Sequence, residues 1–226
     1  MASESSSSRR GQLIFILGSV VLVAVVAVVI VLATGGGSDS TVELSENGPI
    51  TVTGDLLPAF EGDTATDTGA GLAAPKLEGE SFDGTAVVVE PGSPTLLVFL
   101  AHWCPHCQAE VPDLVEWAES LSVPQGLNVV GVATASAADR PNYPPSEWLL
   151  RERWPFRVIA DDEAATAAQA FGTTGYPYLV MLDEAGIVQW RHSGQLADGQ
   201  LEQYLDVALN QSVSYTHLTL PTIAKV

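Results

Sequence analysis

The feature that most constrains this chain is a strand-to-helix junction. Thr95–Ala101 reads TLLVFLA, a continuous apolar run without a charge. A strand of that kind has to be covered on both faces, whereas a half-solvated strand alternates apolar with polar residues. Three positions after the run, Cys104 opens a segment in which Val111, Leu114, Val115, Ala118 and Leu121 fall on one stripe at helical spacing. A helix is therefore predicted over Cys104–Leu121, with Glu110, Asp113, Glu116 and Glu119 facing away. The remaining pattern is consistent with layers. Thr85–Glu90 reads as an edge strand, Leu127–Ala133 and Arg157–Ala160 as further strands, and Ser146–Trp154 and Asp162–Phe171 as helices. Tyr178–Leu182 and Ile187–His192 flank the turn Asp183-Glu184-Ala185-Gly186 as a hairpin, and Asp198–Leu209 closes the domain as an amphipathic helix. The order predicts an α/β fold, a central mixed sheet with helices on both faces.

Ahead of this domain lies a different kind of sequence. Residues 1–12 form a polar tail containing Arg9 and Arg10. Leu13–Ala33 then runs for 21 residues without a charge, the length a helix needs to cross a bilayer. A secretory signal has a shorter apolar core, so an uncleaved signal anchor is expected, with Val31-Leu32-Ala33 as the site if cleavage occurs instead. The two arginines place the N-terminus in the cytoplasm and the rest outside. Residues 34–72, rich in Gly, Ser, Thr and Asp, read as a flexible acidic linker, with Ile50-Thr51-Val52-Thr53 as a short strand. Residues 73–212 are the globular domain. Val213–Thr222 reads VSYTHLTLPT, the translation of a transposase-type sequencing adapter, so residues 213–226 are expected to be a library artefact; a genuine terminal strand is the alternative.

The formal net charge is −18, from 27 acidic and nine basic residues. So acidic a chain argues against nucleic acid as a partner, because phosphate contacts need Lys and Arg. The two cysteines exclude a disulfide-stapled scaffold and a four-Cys zinc site. They sit three positions apart, which in a chain that leaves the cytosol makes them either a redox pair or a short local crosslink.

Placement gives that pair its chemistry. Unpaired backbone N–H groups and the helix dipole at a helix N-terminus favour an anion. A thiolate is that anion and is the nucleophile of disulfide exchange. Pro105 enters the first turn without strain, and His106 adds a donor or positive charge beside the sulfur, so both tune the thiolate. Cys107, one turn on, is the resolving thiol.

The segment Ala101-His102-Trp103-Cys104-Pro105-His106-Cys107-Gln108-Ala109-Glu110-Val111-Pro112 resembles the active site of the thioredoxin superfamily, most of all its TlpA-like membrane-anchored thiol-disulfide oxidoreductases. Ala74-Pro75, Phe82-Asp83-Gly84 and Gly175-Tyr176-Pro177 match further family elements. The resemblance spans about Ala73 to Asn210. It implies a thioredoxin-like fold, exchange of disulfides with extracytoplasmic proteins, a membrane redox partner, a monomer and no bound cofactor beyond the Cys104–Cys107 disulfide. It also implies a cis Pro177 that, with Tyr176 and Trp103, holds substrate. Two departures matter. Val98 stands where many thioredoxins carry a buried acid, leaving Glu110 either as the proton acceptor or as a solvated or ion-paired helix residue. The Pro-His dipeptide is similar to that of DsbA-type oxidants and suggests an oxidising couple on a reductase-like scaffold.

Other readings compete. Copper could bind Cys104 and Cys107 with His102 or His192, although His102 is expected to be exposed and passive and His192 to lie on a strand surface. A peroxidase would need a Thr and Arg set that does not precede Cys104. A non-catalytic binding module would survive replacement of Cys104.

Overall fold

The computed structural model describes residues 44–215, with side chains through Leu209. The expected tail, the signal anchor at Leu13–Ala33, the first part of the linker and most of the adapter-like end lie outside those residues. Among the described residues, no helix is long and apolar enough to cross a membrane.

The central sheet has five strands in the order β6-β5-β4-β7-β8. They are β4 (Thr95–Leu100), β5 (Asn128–Ala133), β6 (Arg157–Ala160), β7 (Tyr178–Leu182) and β8 (Val188–Ser193). Strands β4, β5 and β6 are parallel, β7 runs antiparallel to β4, and β8 runs antiparallel to β7, so the sheet is mixed. As the apolar run requires, every residue of β4 is buried. Its side chains alternate: Leu96, Val98 and Leu100 join one core layer, Leu97 and Phe99 the other. The first layer is closed by α1 (Pro105–Glu119), α2 (Pro145–Arg151) and α4 (Gln200–Tyr215), the second by α3 (Thr166–Ala170).

Helix α3 is shorter than the expected Asp162–Phe171. The Asp161 carboxylate accepts hydrogen bonds from the N–H groups of Asp162, Ala167 and Ala168. Ala165 is left-handed at φ 56°, so the chain turns before it can wind.

The strands expected near Ile50–Thr53 and Thr85–Glu90 are present as β1 (Thr51–Thr53) and β3 (Ala86–Val89), and with the unforeseen β2 (Lys76–Glu80) between them they form a second, three-stranded antiparallel sheet in the order β1-β2-β3. The expectation of a flexible linker through Leu72 is corrected by its described part. Leu57 and Phe60 are buried in the second core layer, and their N–H groups donate to the carbonyls of Ala170 and Gly172 at 2.9 Å each. Asp67 pairs with Arg191 of β8, which is fully buried. The Arg191 Nη1 also donates to the carbonyls of Pro58 at 2.7 Å and Phe171 at 3.2 Å. Gly69 and Gly172 make the space: a Cβ on either would overlap the guanidinium or the Pro58 carbonyl, and Gly172 also holds φ +75°. Two isolated apolar anchors and one ion pair leave no periodic signature, so composition alone reads this segment as solvated chain.

Candidate active site

Cys104 is the N-cap residue of α1, with extended dihedrals of φ −79° and ψ 122°, and Pro105 follows at the start of the helix. Its N–H donates to the Ala101 carbonyl at 2.9 Å, which folds the end of β4 directly into the helix. The thiol is 7% exposed and donates to the Tyr176 carbonyl at 3.3 Å. Pro105 and His106 are exposed on the first turn. Cys107 is completely enclosed. Burial pushes its thiol far above the usual range, opposed by the Ala101 backbone contact and reinforced by Cys104 and Glu110. Both cysteines are free thiols, and only Cys104 reaches the surface.

Glu110 corrects the sequence expectation that it faces away with Asp113, Glu116 and Glu119. It lies one turn beyond Cys107, on the inward edge of the stripe, and is 2% exposed. Its Oε2 accepts a hydrogen bond from the Leu196 N–H at 2.9 Å. Burial raises its carboxyl to about 7, with Asp113 adding to the rise and the Leu196 bond opposing it. The structure therefore places a carboxyl that titrates near neutrality beside the deeper sulfur.

The Tyr176–Pro177 peptide bond is cis, and Pro177 is buried against the site. The Tyr176 ring meets Trp103 edge-on at 6.3 Å between centroids. The Trp103 Nε1 donates to the Ala135 carbonyl at 2.9 Å. The Gly194 N–H donates to the Pro177 carbonyl at 2.8 Å. Through Gly194 and Leu196, one loop thus touches both the cis-proline turn and Glu110.

His102 is buried, contrary to its expected exposure. Its Nδ1 meets the Pro141 carbonyl at 2.7 Å and its Nε2 accepts from the Ala137 N–H at 3.1 Å. These bonds describe a neutral ring with the proton on Nδ1, and burial lowers its pKa in the same sense. With both nitrogens engaged, His102 offers no lone pair to a metal held by the cysteines. His192 is partly buried on β8, 6.0 Å from the Tyr204 ring. Among the described residues, no group of three or more His, Cys, Asp or Glu is placed to hold a metal ion.

The sequence marks Asn142-Tyr143-Pro144-Pro145 as part of an inserted loop able to shape substrate choice, but not how this loop between β5 and α2 is held. His102 pins it at Ala137 and Pro141, and the Asn142 side chain donates to the His102 carbonyl at 3.3 Å. The loop lays the Arg140 guanidinium over the Trp103 ring, 5.3 Å from its centroid. Nothing in the spacing of residues 135–144 signals this. Only the histidine two positions before Cys104 offered a hint.

The AhpC/TSA family model matches residues 54–191. The thiol:disulfide interchange protein DsbE of Escherichia coli K12 is 31% identical over 144 residues, which is 60% of this chain and 73% of that protein. Its namesake from Pasteurella multocida Pm70 is 28% identical over 109 residues, 48% of this chain, and the chain spans only 55% of that relative's length. Among solved structures, a DsbF homologue from Corynebacterium diphtheriae superposes with a TM-score of 0.55 at 20% identity, over 68% of this chain and 99% of that one, a likeness of fold.

Proposed function

Because this chain belongs to the AhpC/TSA family, as a thioredoxin-like thiol-disulfide oxidoreductase, we propose that it exchanges disulfides with extracytoplasmic proteins through Cys104 and Cys107. One observation carries the proposal: a thiol at a helix N-terminus that reaches the surface, backed by a fully enclosed second thiol and a carboxyl titrating near 7.

In the reducing direction, the Cys104 thiolate attacks one sulfur of a substrate disulfide. A Cys104–substrate disulfide forms and the other substrate sulfur leaves as thiolate. Cys107 then gives its proton to Glu110 and attacks the Cys104 sulfur, which forms the Cys104–Cys107 disulfide and releases the second substrate thiolate. The oxidising direction is the reverse. The Tyr176 carbonyl beside Cys104 is placed to accept a hydrogen bond from an incoming extended segment, with Pro177 and Trp103 as its flanks. Pro105 and His106 tune the thiolate from the exposed turn. The cysteines are the redox centre, so no cofactor is required. The protein works as a monomer held to the cytoplasmic membrane by Leu13–Ala33, N-terminus inside, and recharges from a membrane redox partner.

His106 favours an oxidising couple. Equilibration against glutathione buffers tests this. A potential near about −120 mV means disulfide donation, and one near about −270 mV means a reductase. His106→Pro is expected to make the couple more reducing; an unchanged potential removes His106 as the cause.

A further inference from the structure

Among the described residues, Arg140 is a cation without a carboxylate partner, beside Trp103 in a strongly acidic protein. Lys76 pairs with Glu78 and Glu90, Arg153 with Glu119 and Arg191 with Asp67, while Arg151 and Arg157, without an ion pair, donate to the Asn142 and Asn128 side chains. Among the described residues, Arg140 makes no ion pair even with its neighbour Asp139; its guanidinium lies on Trp103. Among the described residues the guanidinium N–H groups have no hydrogen-bond partner, which leaves them free in the fork that fits a carboxylate. The loop beneath is held at three points: Ala137 and Pro141 on the His102 ring, and Asn142, which bonds both the His102 carbonyl and Arg151 at 3.3 Å. The cation is thus held in place before a partner arrives, which reduces the entropy lost when it binds.

Trp103 precedes Cys104 and abuts Tyr176, whose carbonyl receives the Cys104 thiol. A segment lying along Tyr176 with its sulfur at Cys104 passes Arg140. Glu110, the acid nearest the sulfurs in the proposed mechanism, is buried. A chain of net charge −18 steers basic partners toward itself, and Arg140 reverses the sign at one spot beside the reacting atom.

We infer that Arg140, stacked on Trp103, is a specificity determinant that selects protein segments carrying a carboxylate next to the reacting cysteine. The inference rests on the exchange reaction proposed above. The full chain, reduced, is mixed with synthetic peptides whose single cysteine carries a pyridyl disulfide. Attack of the Cys104 thiolate on the peptide sulfur releases thiopyridone, which is followed by absorbance, and leaves a Cys104–peptide disulfide that Cys107 resolves. Peptides with Glu, Gln or Lys flanking the cysteine are compared. An exposed, pre-positioned charge pair predicts about a fivefold preference in the second-order rate constant of thiopyridone release for Glu over Gln. The preference should shrink with salt and vanish in Arg140→Gln, while Arg140→Lys keeps only part of it. If wild type and Arg140→Gln give the same Glu-to-Gln ratio, or Arg140→Gln slows every peptide alike, Arg140 merely covers Trp103 and the inference is overturned. If the wild type releases no thiopyridone from any peptide, or Cys104→Ser releases it equally, the exchange reading itself fails.

Discussion

Two buried carboxylates on opposite faces of the central sheet have met different fates. On the face closed by α3, the Asp67 side chain is as hidden as that of Glu110 across the sheet. Burial pushes the Asp67 carboxyl up, but the Arg191 guanidinium and the Gly69 N–H outweigh it and hold the group below its usual range. On the face closed by α1 and α4, Glu110 has, among the described residues, one backbone donor and no cation, so burial wins and the carboxyl rises to about 7. The presence or absence of a cation therefore decides the direction of the shift. A buried acid given a cation is fixed in charge and serves the architecture. A buried acid denied one can change its proton near neutrality.

The largest expected effect breaks the structural side. Asp67→Asn leaves Arg191 charged and uncompensated in the core and should cost about 3–5 kcal/mol in urea unfolding, with exchange per folded molecule unchanged. A loss below about 1 kcal/mol would mean the clasp is not what holds residues 50–72 down.

The next effect sharpens the functional side. The unfolded chain releases the Glu110 proton near 4.5, whereas the folded protein keeps it until about 7. The folded state thus binds more protons in that window, and stability falls as pH rises through it. Glu110→Gln removes this term, so relative to wild type it should gain about 3 kcal/mol between pH 4 and pH 8. The same variant should lose the rate step near pH 7 and slow resolution by about a hundredfold. A pH-rate profile that keeps its step would assign the proton to another group.

The smallest effect concerns the loop. His102→Leu removes an acceptor from Ala137 and a donor to Pro141 and should cost about 1–3 kcal/mol. Its diagnostic reading is faster amide exchange at Ala137 with the Cys104 reaction retained. Unaltered exchange would show that the loop holds itself.

The sequence disclosed regular structure better than it disclosed polar burial. The β4 run, the Cys104 helix start and the hairpin at Asp183 all rest on local rules, because they involve neighbouring residues and short-range turn chemistry. The Asp183 side chain, for example, accepts from the N–H groups of Ala185 and Ile187. Arg191, His102 and Asp67 were illegible for the opposite reason. Each is polar, and composition assigns polar residues to the surface. Their burial depends on partners 124 residues away for Arg191 and Asp67 and 35 and 39 away for His102. Glu110 lay between the cases: its i, i+3 relation to Cys107 was visible, but whether the groove beside it was wet or closed depended on Leu196.

The enclosure of Cys107 fixes the molecularity of the exchange. A small thiol or disulfide from solution can meet Cys104 alone, so capture is second order in whatever arrives. Release is first order, because the sulfur that completes it never mixes with the surroundings. In the proposed exchange, the rate of this internal release is a property of the protein, set by Cys107 and Glu110. Cys107→Ser should accordingly stop the sequence at that stage and keep each partner attached.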